Sequence, residues 1–579
     1  MEKKVRNVQG VTVVDRRSFL QGALAVGTCA AASSLLGCAP KAKGEEGADA
    51  GASSSPQANI DWLGQAPQIS DADCVETIDC EALVVGAGTS GYFAAASAAE
   101  SGLKTVLIEK SSTGNSVRSS ALGAVNSKLQ QARGANIDSA DIVNDMDHYA
   151  AGQIDSKLVR LWAENSGEAI DWYTDLMAQN DIEVQLEWSM PDGTAYHEWP
   201  TGHGTNGEYP SREQGVAKVI DAYITSFPGC EERFETSMKC LIVEDGRVVG
   251  VYAEGKNGMI RVNASKGVVV ATGGYAYNSE MYAALQPTRL SCLGTFDAFP
   301  TCTGDGIKAL LWAGAAQDAV HTSLTFNRCL LREGQPMDDP YSTGTDYGYF
   351  FYSSQPFLRV DSTGRRFHNE SAPYDFVMSA SSKRAPGDRF WHQVWDGNWK
   401  DDIYRFHTTG CSVITYREGT DHDAYPGMED ALVEEIEADV EAGFIQKADT
   451  LEELAGKLGF NAEQKETFLA TCARQNENFD AKRDPDFGKE EFRLSELRTP
   501  PFYGTVKSCG LTLCTLDGIT VNDKLQPLDR NGAPLEGVRV IGNDQGGFYA
   551  GTYPNLAAGI NAGRCATFGR MVGKMLAKE

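Results

Sequence analysis

Residues Glu81–Lys110, EALVVGAGTSGYFAAASAAESGLKTVLIEK, decide the fold. Ala82–Val85 is a short unbroken apolar run of the kind that forms a strand buried on both faces. It enters a turn with glycines at Gly86, Gly88 and Gly91. An Ala-rich stretch from Tyr92 to about Ser101 follows as a helix that Gly102 ends, and Lys104–Ile108 is a second apolar run closing on Glu109. Strand, glycine turn, helix, strand and acid in that order predict a βαβ unit that binds a dinucleotide. Gly86 permits the tight turn, Gly88 admits a pyrophosphate to the backbone, and Gly91 lets helix and strand approach. Beside Ser90 the helix start offers free N–H groups and partial positive charge to phosphates. Glu109, eighteen residues past Gly91, is placed to accept from a ribose 2′-hydroxyl, which disfavours a 2′-phosphate.

The next stretch of chain separates FAD from NAD. Lys110 leads into the small polar loop Thr113-Gly114-Asn115-Ser116-Val117-Arg118-Ser119-Ser120, then Gly123. Such a loop wraps the second half of a flavin dinucleotide, whereas a plain NAD domain continues into another βα unit. Asn115, Ser116, Ser119, Ser120 and Gly123 are therefore expected against the cofactor. A second buried strand ends in Ala271-Thr272-Gly273-Gly274, and Gly246–Val251 reads as a hairpin arm. Near the C-terminus, Val538–Ile541 is a strand that runs into Gly542, Asn543 and Asp544. A helix is expected over Ala557–Lys574, its start, with Gly559 and Ile560, aimed at the flavin's pyrimidine ring.

Charge excludes one class of partner. The 579 residues carry 79 acidic against 52 basic side chains, a formal charge of −27, which argues against nucleic acid or an anionic membrane surface. The length suits several modules. Lys3, Lys4 and Arg6 precede Asp15-Arg16-Arg17-Ser18-Phe19-Leu20, a twin-arginine pattern, and a weakly apolar run then reaches Leu35-Leu36-Gly37-Cys38, a lipoprotein-like cleavage box. Residues 1–37 are read as an export signal, with Cys38 as the candidate acylated residue, on the extracytoplasmic face of the bacterial cell membrane. Loss of that leader removes five basic and two acidic residues and takes the charge to −30. Residues 38–77 are read as a flexible tether. Of fourteen cysteines no two form a C-x-x-C pair, which disfavours haem attachment or an iron–sulfur cluster, and no metal site is expected. Cys74/Cys80 and Cys509/Cys514 leave a disulfide reading open beside the reading of small buried thiols.

Together these motifs resemble the FAD-containing flavoproteins of the fumarate reductase and succinate dehydrogenase superfamily. GAGTSG with Glu109, TGNSVRSS, VVVATGG, TGDGIKALLWAGA (containing Asp305), GRRFHNE, PPFYG and IGNDQGG carry the resemblance, which covers about Ile78 to the C-terminus. It implies an α/β fold: a Rossmann-like, GR2-type FAD-binding domain split into 78–325 and 507–579, with an inserted α+β capping domain at 326–506. It also implies non-covalent FAD, since Ser120 and its neighbours stand where succinate dehydrogenases carry an attached histidine.

The departures narrow the chemistry. Where fumarate reductases place a proton-donating arginine after the Asn-Glu pair, this chain has Tyr374. The clamp arginine position falls near Leu556, one histidine position near Phe326 or Asn327, and the other in Leu511-Thr512-Leu513. A dicarboxylate lodged there would lack its cations, and unpaired buried charge is costly. NESAPYDF and GTYPNLAAG instead resemble the 3-ketosteroid dehydrogenases. That resemblance gives Tyr374 the carbon-bound proton and Tyr553 the substrate carbonyl, with Ala557 where the branch has a glycine offering its N–H. The expected activity is reduction of a C=C bond conjugated to a carbonyl by hydride transfer from flavin N5. Ketosteroid-type dehydrogenation, a fumarate-like carboxylate reduction and a non-catalytic flavin-bearing lipoprotein are the alternatives. The expected partners are a small-molecule substrate and a separate electron donor, quinol-linked or a cytochrome or flavin protein. Tyr196, His203 and Tyr209 are further pocket candidates, His203 also reading as a structural hydrogen-bonder, and Tyr347–Tyr352 reads as an aromatic wall or as capping-domain core.

Overall fold

The computed structural model describes residues 61–114, 117–119, 121–186, 197–205, 211–337, 340–385, 388–406 and 428–579. The expected leader, the tether as far as Ile60, and Asn115, Ser116, Ser120, Tyr196 and Tyr209 lie outside them.

β1 (Cys74–Val85) starts inside the expected tether, exposed along its first residues and enclosed throughout Ala82–Val85. α1 (Thr89–Glu100) begins three residues earlier than the Ala-rich run suggests, because Gly88 is extended and caps it. β2 (Thr105–Ile108) then pairs in parallel with β1, Ala82 opposite Thr105. α2 (Ser139–Tyr149) and α3 (Ser156–Ala178) precede β3 (Glu231–Arg233), parallel to β2. β4 (Ser237–Glu244), β5 (Arg247–Gly255) and β6 (Gly258–Val270) form the antiparallel arm, and β6 returns alongside β1 with Val270 opposite Val85. The inner ends of β1, β2 and β6 are enclosed runs in the main core, with α1 packed against all three.

The chain continues through α4 (Pro287–Leu290), β7 (Leu293–Phe296), α5 (Asp305–Trp312) and β8 (Ser323–Leu331). β9 (Leu358–Val360), α6 (Tyr374–Ser382), β10 (His392–Trp395), β11 (Ile445–Ala448) and β12 (Phe502–Thr505) belong to the capping insert, whose antiparallel sheet runs β9-β10-β12-β11. β13 (Lys507–Thr515) comes back antiparallel to β8 with Cys329 opposite Cys509. The insert is thus joined to the rest of the chain by a strand pair. β14 (Val538–Val540) joins the first sheet beside β6, which makes seven strands from two distant parts of the chain. α7 (Ile560–Leu576) starts three residues later than expected, after Gly559 in the left-handed region at φ 72°, so Ala557 lies in the turn before it.

The insert has its own core. Phe350, Tyr352, Phe357, Trp395 and Phe406 pack together, which assigns the inner part of the Tyr347–Tyr352 run to core rather than to a substrate wall. Beside it Glu370 is enclosed with Arg366, which donates to both its oxygens at 2.8 and 2.7 Å, and with Lys489 at 3.4 Å. Arg366 also reaches Asp484 at 2.8 Å. Burial alone would raise the Glu370 pKa, but the two cations hold it well below the usual range. The eleven described cysteines are all free thiols, those of both candidate pairs included.

Two consequences are measurable. A Cβ at Gly91 would sit 1.8 Å from the Gly86 carbonyl oxygen, so Gly91→Ala should lower stability by about 1–3 kcal/mol and reduce flavin content, read as the visible-to-ultraviolet absorbance ratio and a melting curve. Glu370→Gln leaves two buried cations facing a neutral amide and should cost roughly 3–5 kcal/mol in a denaturant titration.

Candidate active site

The glycine turn is built as a cradle. Gly86, at φ 107°, lies where a Cβ would meet the Ala271 carbonyl oxygen at 2.3 Å, so the two loops at the strand ends touch backbone to backbone. The first-turn N–H groups of α1 point out of that turn, since a helix start has no internal acceptors for them. Glu109 stands at the end of β2, its carboxylate oriented by the Ala87 N–H at 2.8 Å on one oxygen and by the Ser111 N–H at 2.8 Å and Ser111 hydroxyl on the other. The oxygen that faces Ala87 keeps a second lone pair for a ribose hydroxyl. Lys110 turns to Thr303 at 2.6 Å and Asp305 at 2.8 Å, so the two expected contacts Lys110 and Asp305 pair with one another across the start of α5. Ser90 packs against Gly542, where a Cβ would lie 2.4 Å from its hydroxyl oxygen.

The Ala271–Gly274 loop is held by Asp544. This enclosed carboxylate accepts from the Thr272 N–H, from the Thr272 hydroxyl at 2.8 Å and from the Gly274 N–H at 2.9 Å. Burial raises its pKa and those donors oppose the rise. Gly273 and Gly274 are both left-handed, at φ 91° and 81°, which turns their backbone away from the strand direction. Asp544 therefore shapes the loop with both oxygens, while Asn543 accepts from Arg564 at 3.0 Å. Ser119 gives its hydroxyl to Glu213 at 2.8 Å. The Gly123 N–H donates to the Gly559 carbonyl at 2.8 Å, bringing the wrapping loop onto the turn before Ile560 and α7. Glycine cradle, oriented Glu109 and the helix start at Ile560 together fit a flavin dinucleotide.

The two tyrosines meet. Tyr374 opens α6 and Tyr553 lies in the segment before α7; their rings stack at 6.2 Å between centroids and 16° between planes. Phe326 packs edge-on against Tyr374 at 4.6 Å, and Tyr549 lies 5.7 Å from Tyr553. The Tyr374 hydroxyl donates to Asn555 Oδ1 at 2.8 Å. Ala557 does not have a left-handed φ, yet its N–H donates to the Pro554 carbonyl at 3.1 Å within the turn. His203 is enclosed, with Nε2 at 2.7 Å from the Ser127 hydroxyl and Nδ1 against the Thr201 and Leu122 carbonyls. Burial pushes its pKa down to about 4, and the neutral ring ties backbone segments together. Two further residues of the same motifs join the tyrosines, with no role expected for them from the sequence: Asp375 follows Tyr374, and Asn555 lies two residues after Tyr553. Tyr149, whose hydroxyl donates to Asp375, has no local signal at all.

Residues 81–560 match the family described as FAD binding domain. Over 511 residues the chain is 27% identical to a vinyl phenol reductase of Lactiplantibacillus plantarum, covering 84% of this chain and 95% of that one. It is 26% identical over 572 residues to a digoxin reductase of Eggerthella lenta, covering 93% of each. Its fold is that of a 3-ketosteroid delta1-dehydrogenase from Sterolibacterium denitrificans solved with 1,4-androstadiene-3,17-dione, at a TM-score of 0.65 and 17% identity over 86% of this chain and 99% of that one. With more than three quarters of its length matched and the dinucleotide cradle in place, the chain belongs to the FAD binding domain family and is an FAD-dependent oxidoreductase.

Proposed function

We propose that the enzyme reduces a C=C bond conjugated to a carbonyl group, and the stacked pair Tyr374 and Tyr553 carries that reading. Bound reduced FAD supplies the hydride. Addition to the β-carbon of an enone builds negative charge on the carbonyl oxygen and leaves the α-carbon in need of a proton. Tyr553 donates to that oxygen; a well-placed donor of this kind is worth about 3–4 kcal/mol in the transition state. Tyr374 delivers the proton to the α-carbon, its hydroxyl oriented beforehand by Asn555. Ala557 stays a weaker candidate for the second donor, because its N–H already has an acceptor in Pro554.

The surroundings favour a neutral acceptor over a dicarboxylate. Phe326 and Leu556 are buried where a dicarboxylate clamp needs cations, and Phe326 lies directly on Tyr374. The relatives from Lactiplantibacillus plantarum and Eggerthella lenta are both reductases by name, which supports the reductive direction. The reverse reaction, dehydrogenation of a ketosteroid-like substrate, would use the same two tyrosines, and the likeness to the ketosteroid dehydrogenase fold keeps it as the second reading. Export by the twin-arginine route, a lipid anchor at Cys38 and supply of electrons by a separate quinol-linked, cytochrome or flavin donor complete the proposal; the paired arginines Arg16-Arg17 and the box ending at Cys38 support the first two.

The test is anaerobic reoxidation of the dithionite-reduced flavoprotein by cyclohexenone, vinylphenol, a cardenolide lactone, a 3-ketosteroid, acrylate and fumarate. Carbonyl-conjugated alkenes should reoxidise it, and reoxidation by fumarate alone would end the proposal. Tyr374→Phe should keep its flavin and lose on the order of 10²–10⁴ in rate; an unchanged rate would remove Tyr374 from proton transfer.

A further inference from the structure

Asp375 follows Tyr374 in the first turn of α6 and is enclosed by protein. Its Oδ1 accepts from the Tyr149 hydroxyl at 2.5 Å and its Oδ2 from the Tyr553 N–H at 3.2 Å. Tyr149 is the last residue of α2, and its ring stacks on Phe376 at 4.7 Å and 19°. One carboxylate thereby joins three segments: the capping-insert helix, a helix on the flavin side, and the C-terminal stretch that carries the second tyrosine.

That placement is costly for the fold. Burial pushes the Asp375 pKa up to about 6, opposed by the Tyr149 hydroxyl, the Tyr553 N–H and the charge of Arg289 on α4. Arg328, on β8 beneath α6, donates to Ser354 at 2.7 Å and Tyr349 at 3.2 Å, with its guanidinium over the Phe326 ring at 4.7 Å from the centroid. A buried carboxylate held by neutral donors contributes less to a core than an apolar side chain of its size. Its two acceptor directions are what an apolar residue could not supply.

We propose that Asp375 is a positioning residue, a carboxylate latch that sets the separation of Tyr374 and Tyr553 across the seam between capping insert and flavin domain. The inference rests on the two-tyrosine reading of the reaction. Asp375 shares its backbone with Tyr374 and holds the backbone N–H of Tyr553, so a single side chain fixes where both phenols start. Asn555, two residues after Tyr553, then takes the Tyr374 hydroxyl, which closes the loop of contacts from the other side. Displacing a reacting group by about 1 Å costs on the order of 10²-fold in rate.

The experiment is single-turnover reoxidation of the reduced holoenzyme by cyclohexenone, in wild type, Asp375→Asn, Tyr374→Phe, the double variant and Tyr149→Phe. Asp375→Asn should keep its flavin and slow the step by about 10- to 100-fold at saturating enone, with half-saturation within about twofold of wild type. On the Tyr374→Phe background the same change should cost clearly less than on wild type, because only the placement of Tyr553 is left for it to disturb. Equal losses on both backgrounds, or a wild-type rate in Asp375→Asn, would overturn the latch. Tyr149→Phe keeps the carboxylate and should give a smaller loss in the same direction, which preserves the test if Asp375→Asn fails to load flavin. A wild-type rate in Tyr374→Phe would instead overturn the two-tyrosine reading. The latch then stands or falls on hydrogen exchange: Asp375→Asn must speed exchange of the Tyr553 amide, and unchanged exchange removes it.

Discussion

The contact on which the rest depends is the close approach of α7 to α1 and to the loop around Gly123. A Cβ at Gly563 would sit 1.8 Å from the Gly123 carbonyl oxygen, and one at Gly569 would sit 2.4 Å from the Ser90 carbonyl oxygen. No side chain, not even a methyl group, fits between these backbones. Small residues of α1 are the matching half, since a Cβ at Gly573 would sit 2.6 Å from the Ala98 nitrogen and 2.7 Å from the Ala94 carbonyl oxygen. This packing ties the end of the chain to its first βαβ unit, with β14 beside β6 as the second tie. Tyr553 and Asn555 sit just before α7, so their distance from the glycine cradle is inherited from a helix crossing and not from a flexible loop.

The capping insert brings the other tyrosine. It is attached through β8 and β13, a paired antiparallel ribbon, and α6 packs directly on β8. Its interior is stabilised separately, by the aromatic cluster around Trp395 and by the enclosed Glu370, Arg366 and Lys489 group. The polar group inside the insert is balanced by cations, whereas the polar group at the seam is a carboxylate held by a phenol and an amide. The first arrangement resists disturbance. The second is weaker, which suits the proposed entry of substrate at this seam.

The fold was legible where the information is local. Ala82–Val85, the three glycines and Glu109 lie within one stretch, and each has a steric or electrostatic duty that its neighbours reveal. Helix limits were less legible: α1 takes in Thr89–Gly91 because Gly88 supplies the extended cap, and α7 waits for left-handed Gly559. The tyrosines could be picked out because their motifs are short and depart from a resembling family at known positions. Their partners could not. Tyr149 and Asp375 are 226 residues apart and Tyr374 and Asn555 are 181 apart, and nothing in the composition around them marks a hydrogen bond. Asp544 and Lys110 show the same limit from the other side, since residues expected to face the cofactor are engaged by Thr272, Gly274, Thr303 and Asp305.

In the proposed reaction, the neutral phenol of Tyr374 decides which substrates the seam accepts. An arginine in place of Tyr374 would donate a proton and attract a carboxylate at once, so acid catalysis and anion binding would be one property. A phenol separates them. Under the proposed mechanism Tyr374 donates to carbon without drawing in an anion, and the apolar ring of Phe326 packs edge-on against it. The anionic group that touches the pair is Asp375, and its oxygens are turned to the Tyr149 hydroxyl and the Tyr553 N–H. Its negative charge adds a further penalty for any carboxylate entering beside it, roughly 4 kcal/mol at 4 Å in a medium of effective dielectric 20. A neutral carbonyl meets no such penalty and gains a donor. In the proposed reaction, selectivity for conjugated carbonyls over dicarboxylates would then follow from the phenol at Tyr374 and from where the charge of Asp375 is held.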